Sequence, residues 1–518
     1  MNLTELIKKH PAVTCLTAGV IYSVQFWSDY TFIFAFPGLA LYFFALFSAE
    51  RKAFFRYSYA FCLGFFIPLY YWFMALYPFD GFNFTAAEGI TIVIAACIGI
   101  SVYHALLISA VMCLLRFAPK NKILLPLYFA ALWTAGEWVL SLGDLAFSWG
   151  RVAIGQSSFL PMVESASLFG SYFIAFVVAA VSAYMGLWLM GGEKRFLYIS
   201  ASLLACHLVL GTVLTYMPYK AENKKSVALI QGNVTSADKW RPDFYDYIVE
   251  TYMELCEEAV ENGAEILYLP ESPFPRFSSE SCERLYPLID LAKENNVTVL
   301  TGVLVADEDD NYYNSIVAIY PDGSLSQRYD KRHPVPFGET IPYGNLITGL
   351  VPALGNMNAS EMLTAGNDST VIEAAGYTFI PLVCFDSIFS SFSRDGVKNG
   401  GDIIFVGTND SWYKSTRGVY EHMKFSVLRA IETGKPVIRS ANTGISCIID
   451  PRGNVISQTQ PMVEAILYGE SYSTDQTTLY TVIGDVWLYM SFGYIGFFIA
   501  KAIYTKHKTR KEGYMNEN

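Results

Sequence analysis

The chain has few charged residues for its length. They make up 16% of its 518 residues, against about 25% in soluble globular domains. Hydrophobic residues instead reach 53% and aromatic residues 16%, and the mean hydropathy is +0.31. This hydrophobicity excludes intrinsic disorder, and the net charge of −11 excludes nucleic acid as a partner, because nucleic-acid binding needs a basic surface. The composition indicates a membrane protein.

Cysteine is also sparse, and no two cysteines have the Cys-x-x-Cys spacing. With nine cysteines in the chain, the sequence excludes a disulfide scaffold and the common zinc motifs. His333 and His422 lack metal-ligand spacing, so we interpret them as solvated or core histidines. We therefore expect no metal site.

Charge is divided unevenly along the chain. Residues 218–475 contain 20 Lys and Arg but 35 Asp and Glu, a net charge of −15, whereas the remaining residues have a net charge of +4. This division predicts an acidic, water-exposed module inside a weakly basic, apolar frame. We place a membrane domain at 1–217, the module at 218–478, and a last helix with a basic tail at 479–518.

Long apolar runs form the frame, seven before the module and one after it. Most of them approach or exceed the roughly 20 residues that cross a hydrocarbon core, so we predict about eight transmembrane helices. The predicted spans are 12–28, 31–48, 56–77, 88–115, 123–141, 164–190, 196–217 and 480–502.

Basic residues occur in alternate loops between these runs, which predicts the orientation of the chain. Lys8, Arg116 and Lys501 belong to the basic set of loops, whereas the intervening loops have Arg151 alone. Because Lys and Arg stay on the cytoplasmic side, both termini are predicted in the cytoplasm and residues 218–478 outside it. The first run lacks a small-residue cleavage site, so we interpret it as a retained helix rather than a signal peptide.

The acidic module alternates between strand-like and helical patterns. This alternation predicts a layered α/β domain in which helices cover a sheet. The predicted strands are Ser226–Gln231, Glu265–Leu269, Val297–Val305, Ser315–Tyr320, Tyr377–Cys384, Asp402–Val406 and Pro436–Arg439, and the predicted helices are 243–262, 280–295 and 418–433. Residues 340–368 follow neither pattern, and a loop of this length is typical of a lid or a binding loop.

Cys384 ends an apolar strand in the segment Phe379-Ile-Pro-Leu-Val-Cys384-Phe-Asp-Ser387. A thiol at a strand-to-helix junction faces backbone N–H groups, which favour the thiolate and can hold an oxyanion. A buried structural cysteine explains the same segment equally well.

Two further segments carry candidate catalytic groups. Glu271 follows a predicted strand, where partial burial would raise the pKa of the carboxyl group and suit it to act as a general base. Lys331 begins a turn that ends in a second carboxylate, Glu339. Taken singly, Glu271 is better interpreted as a strand-end cap and Lys331 as a solvated surface lysine.

The order of Glu271, Lys331 and Cys384, followed by Gly407-Thr-Asn-Asp-Ser-Trp412, resembles the nitrilase superfamily. Several blocks in the same order across the module make this resemblance specific. It implies a four-layer α-β-β-α sandwich with a Glu-Lys-Cys triad. In that triad Glu271 is the general base, Lys331 stabilises the tetrahedral oxyanion, and Cys384 is the nucleophile.

With the apolar frame included, the chain is similar to the apolipoprotein N-acyltransferase family over nearly its whole length. Further matching blocks are Gly232–Trp240 and Arg439–Gly444. The resemblance implies that a membrane phospholipid donates an acyl group to Cys384, which passes it to the α-amine of a diacylglyceryl-modified apolipoprotein. This chemistry needs no cofactor. The resemblance also implies a functional carboxylate at Glu339 and a substrate-side tryptophan at Trp240.

The residues directly after the nucleophile depart from the family pattern, and one tryptophan allows two interpretations. Family members commonly carry Tyr-Glu directly after the nucleophile, whereas this chain has Phe385 and Asp386, which shortens the carboxylate and removes the phenol hydroxyl. Trp149 is predicted in an outer loop, either at the mouth of the active site or in the interfacial aromatic belt. We favour the belt.

The resemblance implies a monomeric enzyme of the bacterial inner membrane, with the module facing the periplasm. Two alternatives remain. A membrane-anchored nitrilase-type amidase would resolve the acyl-enzyme with water, but a tether needs one helix rather than eight. A transporter or receptor with an inactive outer domain is disfavoured by the intact Glu271, Lys331 and Cys384, and by the scarcity of charge inside the predicted helices.

Overall fold

Helices form where the sequence has long apolar runs. The structure is a computed structural model that describes residues 5, 7, 9–48, 51–78, 85–344, 349 and 362–516. The helices before the acidic module are α1 (Pro11–Ser23), α2 (Ala35–Ser48), α3 (Phe54–Leu69), α4 (Ala86–Met112), α5 (Leu124–Val139), α6 (Val152–Gln156), α7 (Leu160–Val163), α8 (Ala166–Phe169), α9 (Ser171–Gly191) and α10 (Lys194–Thr215).

Five helices in the described part of the chain are long and apolar enough to cross a membrane. They are Phe54–Leu76, Ala86–Phe117, Ser171–Gly191, Lys194–Thr215 and Val486–Thr509. Two further apolar helices, Pro11–Phe26 and Phe32–Ser48, are shorter, and α5 has only 16 residues. The predicted polytopic architecture is therefore confirmed, whereas the predicted number of eight spanning helices is not.

Two predicted spans are each interrupted at a glycine. The span 164–190 is interrupted at Gly170, where φ is +76°, and its long helix starts only at Ser171. The span 480–502 is interrupted at Gly484, where φ is +66°. Glycine adopts a positive φ without the steric cost that a Cβ atom brings, so each of these residues ends one helix and redirects the chain before the next.

The acidic module contains the strands and most of the remaining helices. The strands are β1 (Glu222–Gln231), β2 (Ile266–Tyr268), β3 (Phe277–Ser278), β4 (Thr298–Ala306), β5 (Tyr312–Ile319), β6 (Tyr329–Asp330), β7 (Ile372–Ala374), β8 (Tyr377–Val383), β9 (Ile403–Thr408), β10 (Val437–Ala441), β11 (Cys447–Ile449), β12 (Val455–Gln458) and β13 (Ala465–Ser473). The helices are α11 (Ser236–Lys239), α12 (Tyr245–Glu261), α13 (Tyr286–Asn295), α14 (Ser390–Lys398) and α15 (Arg417–Thr433), followed after the module by α16 (Leu479–Ile483) and α17 (Val486–Asn516).

The strands form two sheets that stack face to face. One sheet has the order β13-β1-β2-β4-β5-β6 with β3 beside β4, and the other has the order β12-β11-β10-β9-β8-β7. Apolar side chains of both sheets, such as Tyr268 and Phe405, share one core. Helices α12 and α13 cover the outer face of the first sheet, and α14 and α15 cover the second. The predicted α-β-β-α sandwich is confirmed.

Parallel strands bring their carboxyl ends to one edge of each sheet. Strands β1, β2 and β4 are parallel in the first sheet, and β8, β9 and β10 are parallel in the second. Residues that directly follow these strands therefore lie at a shared edge, where the loops of both sheets meet.

Helix α15 lies between the second sheet and the membrane helices. Its Phe425 and Leu428 belong to one buried cluster that includes Ile404 of the sheet and Ile174 of α9. Its Lys424 pairs with Asp29 of the frame at 2.8 Å. The outer helical layer of the sandwich is thus also the layer that joins the module to the frame.

All seven predicted strands and all three predicted helices of the module are present. The prediction omitted helices α11 and α14 and strands β3, β6, β7, β11, β12 and β13. Strand β12 is largely exposed, so it lacks the apolar run that marks the buried strands. Of the predicted loop 340–368, the segments 345–348 and 350–361, which contain Leu346, Ile347, Leu350, Val351 and Leu354, lie outside the described residues.

Candidate active site

Cys384 lies at a sharp bend directly after β8. The strand ends at Val383, and the short 3₁₀ helix Cys384–Ile388 begins at the next residue. The backbone of Cys384 has a φ of +50°, a left-handed conformation that costs a non-glycine residue of order 1–3 kcal/mol and that clusters at functional sites. Cys384 is 8% exposed, so its thiol lies in a nearly closed pocket.

Glu271 follows β2 and is held by three donors. Its Oε1 accepts hydrogen bonds from Asn314 Nδ2 at 2.6 Å and from Lys331 Nζ at 3.2 Å, and its Oε2 accepts one from the backbone N–H of Asn409 at 2.8 Å. The next residue, Ser272, has a φ of +41°. Because three separate segments fix this buried carboxylate, its orientation is set before any substrate arrives.

Lys331 follows β6 and lies between two carboxylates. Its Nζ donates to Glu271 Oε1 at 3.2 Å and to Glu339 Oε1 at 2.8 Å. Glu339 is fixed in turn, because its Oε2 accepts the backbone N–H of Val335 at 2.7 Å. Burial disfavours the ammonium of Lys331, but the two carboxylates outweigh burial and hold its pKa well above the usual value. Lys331 is therefore a permanent cation.

The protonation of Cys384 and Glu271 differs from the sequence expectation. Burial raises the pKa of the Cys384 thiol well above its usual value, and the carboxylate of Glu271 adds to that rise. Burial also raises the pKa of Glu271, but the ammonium groups of Lys331 and Lys239 outweigh it and hold the pKa below its usual value. The predicted thiolate and the predicted raised carboxyl pKa are both wrong for the resting site, which holds a thiol beside an ionised carboxylate.

Asp386 acts on the segment that carries Lys331. Its Oδ2 accepts from Tyr329 Oη at 2.9 Å and from the backbone N–H of Arg332 at 3.3 Å, and its Oδ1 accepts the backbone N–H of His333 at 2.9 Å. These contacts connect the turn after Cys384 to residues on both sides of Lys331. The shortened carboxylate of Asp386 therefore helps to position the segment that carries Lys331.

Phe385 packs at the junction of the module and the frame. Its ring stacks on Phe147 of the frame with a centroid distance of 5.8 Å, and it contacts the rings of His333 and Phe389. Phe385 is buried, so its ring is a packing group beside the nucleophile.

The two candidate tryptophans lie in different surroundings. Trp149 is fully buried, and its Nε1 donates to Oε2 of Glu421 in α15 at 2.6 Å. The expectation that Trp149 belongs to a lipid-facing aromatic belt is therefore wrong. Trp240 is 55% exposed and directly follows Lys239, whose Nζ donates to the carbonyl oxygen of Glu271 at 3.2 Å.

A second buried polar group lies behind Cys384. His422 Nδ1 is 2.7 Å from Asp410 Oδ1, and Arg439 Nη2 donates to Asp410 Oδ2 at 2.8 Å. His422 Nε2 lies 3.3 Å from the carbonyl oxygen of Cys384 and approaches the hydroxyl group of Ser387. His422 is thus a core histidine, one of the two predicted alternatives.

Cys384, Asp410 and His422 are residue types that bind metals, but the charges around them do not favour a metal cation. Ligand atoms of Cys384, Asp410 and His422 all lie within 4.8 Å of one another. However, the guanidinium of Arg439 already neutralises Asp410 and lies 3.1 Å from His422 Nδ1. A guanidinium at this distance repels a metal cation, so these residues do not fit a metal.

Several residues of the site were not predicted, although most lie in blocks that carry the resemblance to the family. Lys239 is in the block Gly232–Trp240, and Asn409 is in the block Gly407–Trp412. Asn314 had a weaker signal: it is a polar residue within the apolar strand β5. The site therefore combines a thiol, an ionised carboxylate and a fixed ammonium in a nearly dry pocket. These groups suffice for nucleophilic acyl transfer in which a base activates the thiol and a cation stabilises the oxyanion.

Comparison with protein families matches both parts of the chain. Residues 226–474 match the carbon-nitrogen hydrolase family, and residues 18–184 match the apolipoprotein N-acyltransferase N-terminal domain.

Similar proteins cover most of the chain. The apolipoprotein N-acyltransferase of Photobacterium profundum is 30% identical over 69% of this chain and 69% of that protein. The enzyme of the same name from Vibrio parahaemolyticus is 30% identical over 72% of this chain and 74% of that protein, and the one from Methylococcus capsulatus is 28% identical over 91% and 92%. Among solved structures, Saccharomyces cerevisiae Nit3, a member of branch 10 of the nitrilase superfamily, has 18% identity and a TM-score of 0.38, and the match covers 48% of this chain and 90% of that one.

Proposed function

The chain belongs to the apolipoprotein N-acyltransferase family, and from this we propose that it transfers a phospholipid acyl group through a thioester on Cys384. The enzyme is a membrane acyltransferase that N-acylates lipoproteins during their maturation. The observation that carries the proposed mechanism is the position of Lys331, whose ammonium joins Glu271 to Glu339 beside the strained Cys384.

The first half of the reaction forms the thioester. Glu271 takes the proton of the Cys384 thiol, and the thiolate attacks the ester carbonyl of a membrane phospholipid. Lys331 and the backbone N–H of Phe385, at the start of the 3₁₀ helix, stabilise the oxyanion. When the ester bond breaks, Glu271 returns its proton to the departing lysophospholipid alkoxide.

The second half transfers the acyl group to nitrogen. The α-amine of a diacylglyceryl-modified apolipoprotein attacks the thioester, and Glu271 accepts a proton from the amine. Collapse of the tetrahedral intermediate forms the amide and releases the Cys384 thiolate, which regains that proton from Glu271. A nearly closed pocket suits this sequence, because a thioester shielded from water persists until an amine reaches it. Glu339 fixes Lys331, and the exposed Trp240 lies on the substrate side.

The proposed setting follows the loop charges and the boundaries of the fold. We place the membrane domain at 1–217, the catalytic domain at 218–478 and the last helix with its tail at 479–518. The catalytic domain faces the periplasm from the inner membrane, and both termini are cytoplasmic. A single chain supplies Glu271 and Cys384, which supports a monomeric enzyme.

Mass spectrometry of the intact purified protein tests the thioester. After incubation with phospholipid, the wild-type protein is expected to gain one fatty-acyl mass, which Cys384→Ala does not gain. Cys206→Ser is the matched control, because Cys206 is an exposed cysteine of α10, and this variant should be acylated normally. An adduct that persists in Cys384→Ala would contradict the mechanism. Rapid loss of the adduct in water without an acceptor amine would favour an amidase.

A further inference from the structure

Lys239 is a buried lysine next to the proposed base. It ends the short helix α11 and is 4% exposed. Its Nζ donates to the carbonyl oxygen of Glu271 at 3.2 Å and approaches Ser272 Oγ at 3.5 Å. Burying an ammonium is costly unless opposite charge compensates it, and the mechanism above assigns Lys239 no role.

The charges around Lys239 are those of the active site. Burial lowers its pKa to about 8, while the negative charges of Glu271, Cys384 and Glu339 act against that fall and Lys331 adds to it. Lys239 in turn lowers the pKa of Glu271, second among the cations after Lys331. The pocket therefore holds two carboxylates and two ammonium groups.

The number of cations matters because the reaction moves one negative charge through a nearly dry pocket. The charge begins on Glu271, passes to the thiolate of Cys384, and then passes to the oxyanion of the tetrahedral intermediate. Lys331 is shared between Glu271 and Glu339. Without Lys239 the pocket would hold two carboxylates and one cation, an excess negative charge that is poorly solvated there.

We propose that Lys239 is a positioning residue of the acyl transfer, whose charge keeps Glu271 ionised and ready to take the proton of Cys384. This inference rests on the proposed function, because it assumes that Glu271 is the base and Cys384 the nucleophile. In this proposal Lys239 balances the negative charge of the pocket, whereas Lys331 contacts the oxyanion.

The test is the pH dependence of Cys384 alkylation by a small water-soluble reagent, iodoacetamide, on the full-length protein in detergent. Lys239→Gln removes the charge but keeps a donor for the Glu271 carbonyl, and Lys239→Arg keeps both. Removing a nearby cation raises the pKa of a carboxyl group. We therefore expect the acid-side midpoint of alkylation to move up by about one pH unit or more in Lys239→Gln. In Lys239→Arg it should stay at the wild-type value.

The matched control is Lys225→Gln. Lys225 lies near the start of β1, where it pairs with the exposed Glu265 at 3.5 Å, and its replacement should leave the midpoint unchanged. A midpoint in Lys239→Gln equal to wild type would overturn the proposal, and so would an upward shift in Lys239→Arg as large as that in Lys239→Gln. If thermal unfolding shows that Lys239→Gln is not folded, Lys239→Met takes its place in the comparison. If neither neutral variant folds, the proposal still requires that the alkylation midpoint of Lys239→Arg equals that of wild type.

The wild-type profile separates this inference from the proposed function. If wild-type Cys384 shows no acid-side midpoint and gains no acyl mass, the thioester mechanism fails. If wild type behaves as proposed and only the Lys239 variants depart from expectation, the role of Lys239 fails alone.

Discussion

Trp149 of the frame and Glu421 of the catalytic sandwich are joined by a hydrogen bond of 2.6 Å between buried groups. Glu421 is adjacent in sequence to His422, whose Nε2 lies 3.3 Å from the carbonyl oxygen of Cys384. One helix, α15, thus contacts the frame through one residue and the backbone of the proposed nucleophile through the next. The position of the nucleophile is therefore coupled to the seating of the sandwich on the membrane helices.

The Glu421→Gln variant is expected to become more stable than wild type as the pH rises. Burial raises the pKa of Glu421 to about 8, well above the value near 4.3 of an unfolded chain. The folded state therefore binds a proton that the unfolded state releases, and wild type loses stability between about pH 4.3 and 8. The amide in the Glu421→Gln variant has no such proton and can still accept from the indole of Trp149. Thermal unfolding of both proteins at pH 5 and pH 8 measures the effect, and an equal pH response in the two would contradict the prediction.

Asp386→Ala is expected to slow acyl-enzyme formation by about 100-fold, because small displacements of a catalytic group cost about that much. The carboxylate accepts the backbone N–H groups of Arg332 and His333, which directly follow Lys331, and the hydroxyl group of Tyr329 before it. Its loss therefore frees the segment that positions the ammonium. The rate of acyl-mass gain measures the effect. Asp395→Ala is the control, since Asp395 is a partly exposed carboxylate that pairs with Arg332 at 3.5 Å. A similar loss in both variants would show that Asp386 has no special role.

Seven strands of the sandwich and the three candidate catalytic positions could be predicted from the sequence, because each depends on a local pattern. An apolar run that ends in a polar turn predicts both β8 and the bend at Cys384. Glu271 follows a predicted strand in the same way, Lys331 begins a predicted turn, and the order of the three residues carries the resemblance to the family.

The features that the sequence did not predict depend on contacts between distant parts of the chain. Trp149 and Glu421 are 272 residues apart, so a tryptophan near the end of a membrane segment was wrongly assigned to the lipid interface. The pKa of Glu271 was expected to rise because its burial could be inferred, whereas its contact with Lys331, 60 residues away, and its proximity to Lys239 could not. Local pattern predicts the elements, and the electrostatics of the pocket appears only when the segments meet.

Asp410→Asn is expected to destabilise the folded protein by about 3–5 kcal/mol at neutral pH, because it leaves the buried Arg439 without its counter-charge. Burial raises the pKa of Asp410, but Arg439 and His422 outweigh burial and hold it well below its usual range. A lowered folded pKa gives stability that is present above about pH 4 and is lost as the pH falls below it. The difference in thermal stability between wild type and variant should therefore be full at pH 7 and smaller at pH 3. A difference that grows on acidification would contradict this assignment.

Cysteines introduced at exposed positions test the proposed orientation. Glu254 on α12 and Lys506 on α17 are both exposed. Each is changed to Cys in a background that combines Cys206→Ser with Cys384→Ala, which removes the exposed native thiol of α10 and the reactive thiol of the site. A membrane-impermeant thiol reagent added to intact spheroplasts should label the Glu254→Cys protein but not the Lys506→Cys protein. Both should react once the membrane is permeabilised. Labelling of Lys506→Cys alone in intact cells would reverse the orientation and place the catalytic domain in the cytoplasm.

The stacking of Phe385 on Phe147 predicts that the two residues are energetically coupled. Phe385→Ala is expected to cost about 3–5 kcal/mol, as a buried phenylalanine does, and Phe147→Ala less, because Phe147 is only half-buried. Because the rings stack on each other across the junction of module and frame, the double variant should be more stable than additivity predicts, by about 0.5–1.5 kcal/mol. Thermal unfolding of the four proteins in one detergent gives the coupling.

Phe385→Ala combined with Phe47→Ala is the control, since Phe47 packs within the frame on Phe43 and Phe54, and this pair should be additive. Strict additivity for Phe385 and Phe147 would mean that the ring after the nucleophile contributes nothing to the seating of the sandwich on the membrane helices. Its role would then be limited to the backbone N–H that it offers to the oxyanion.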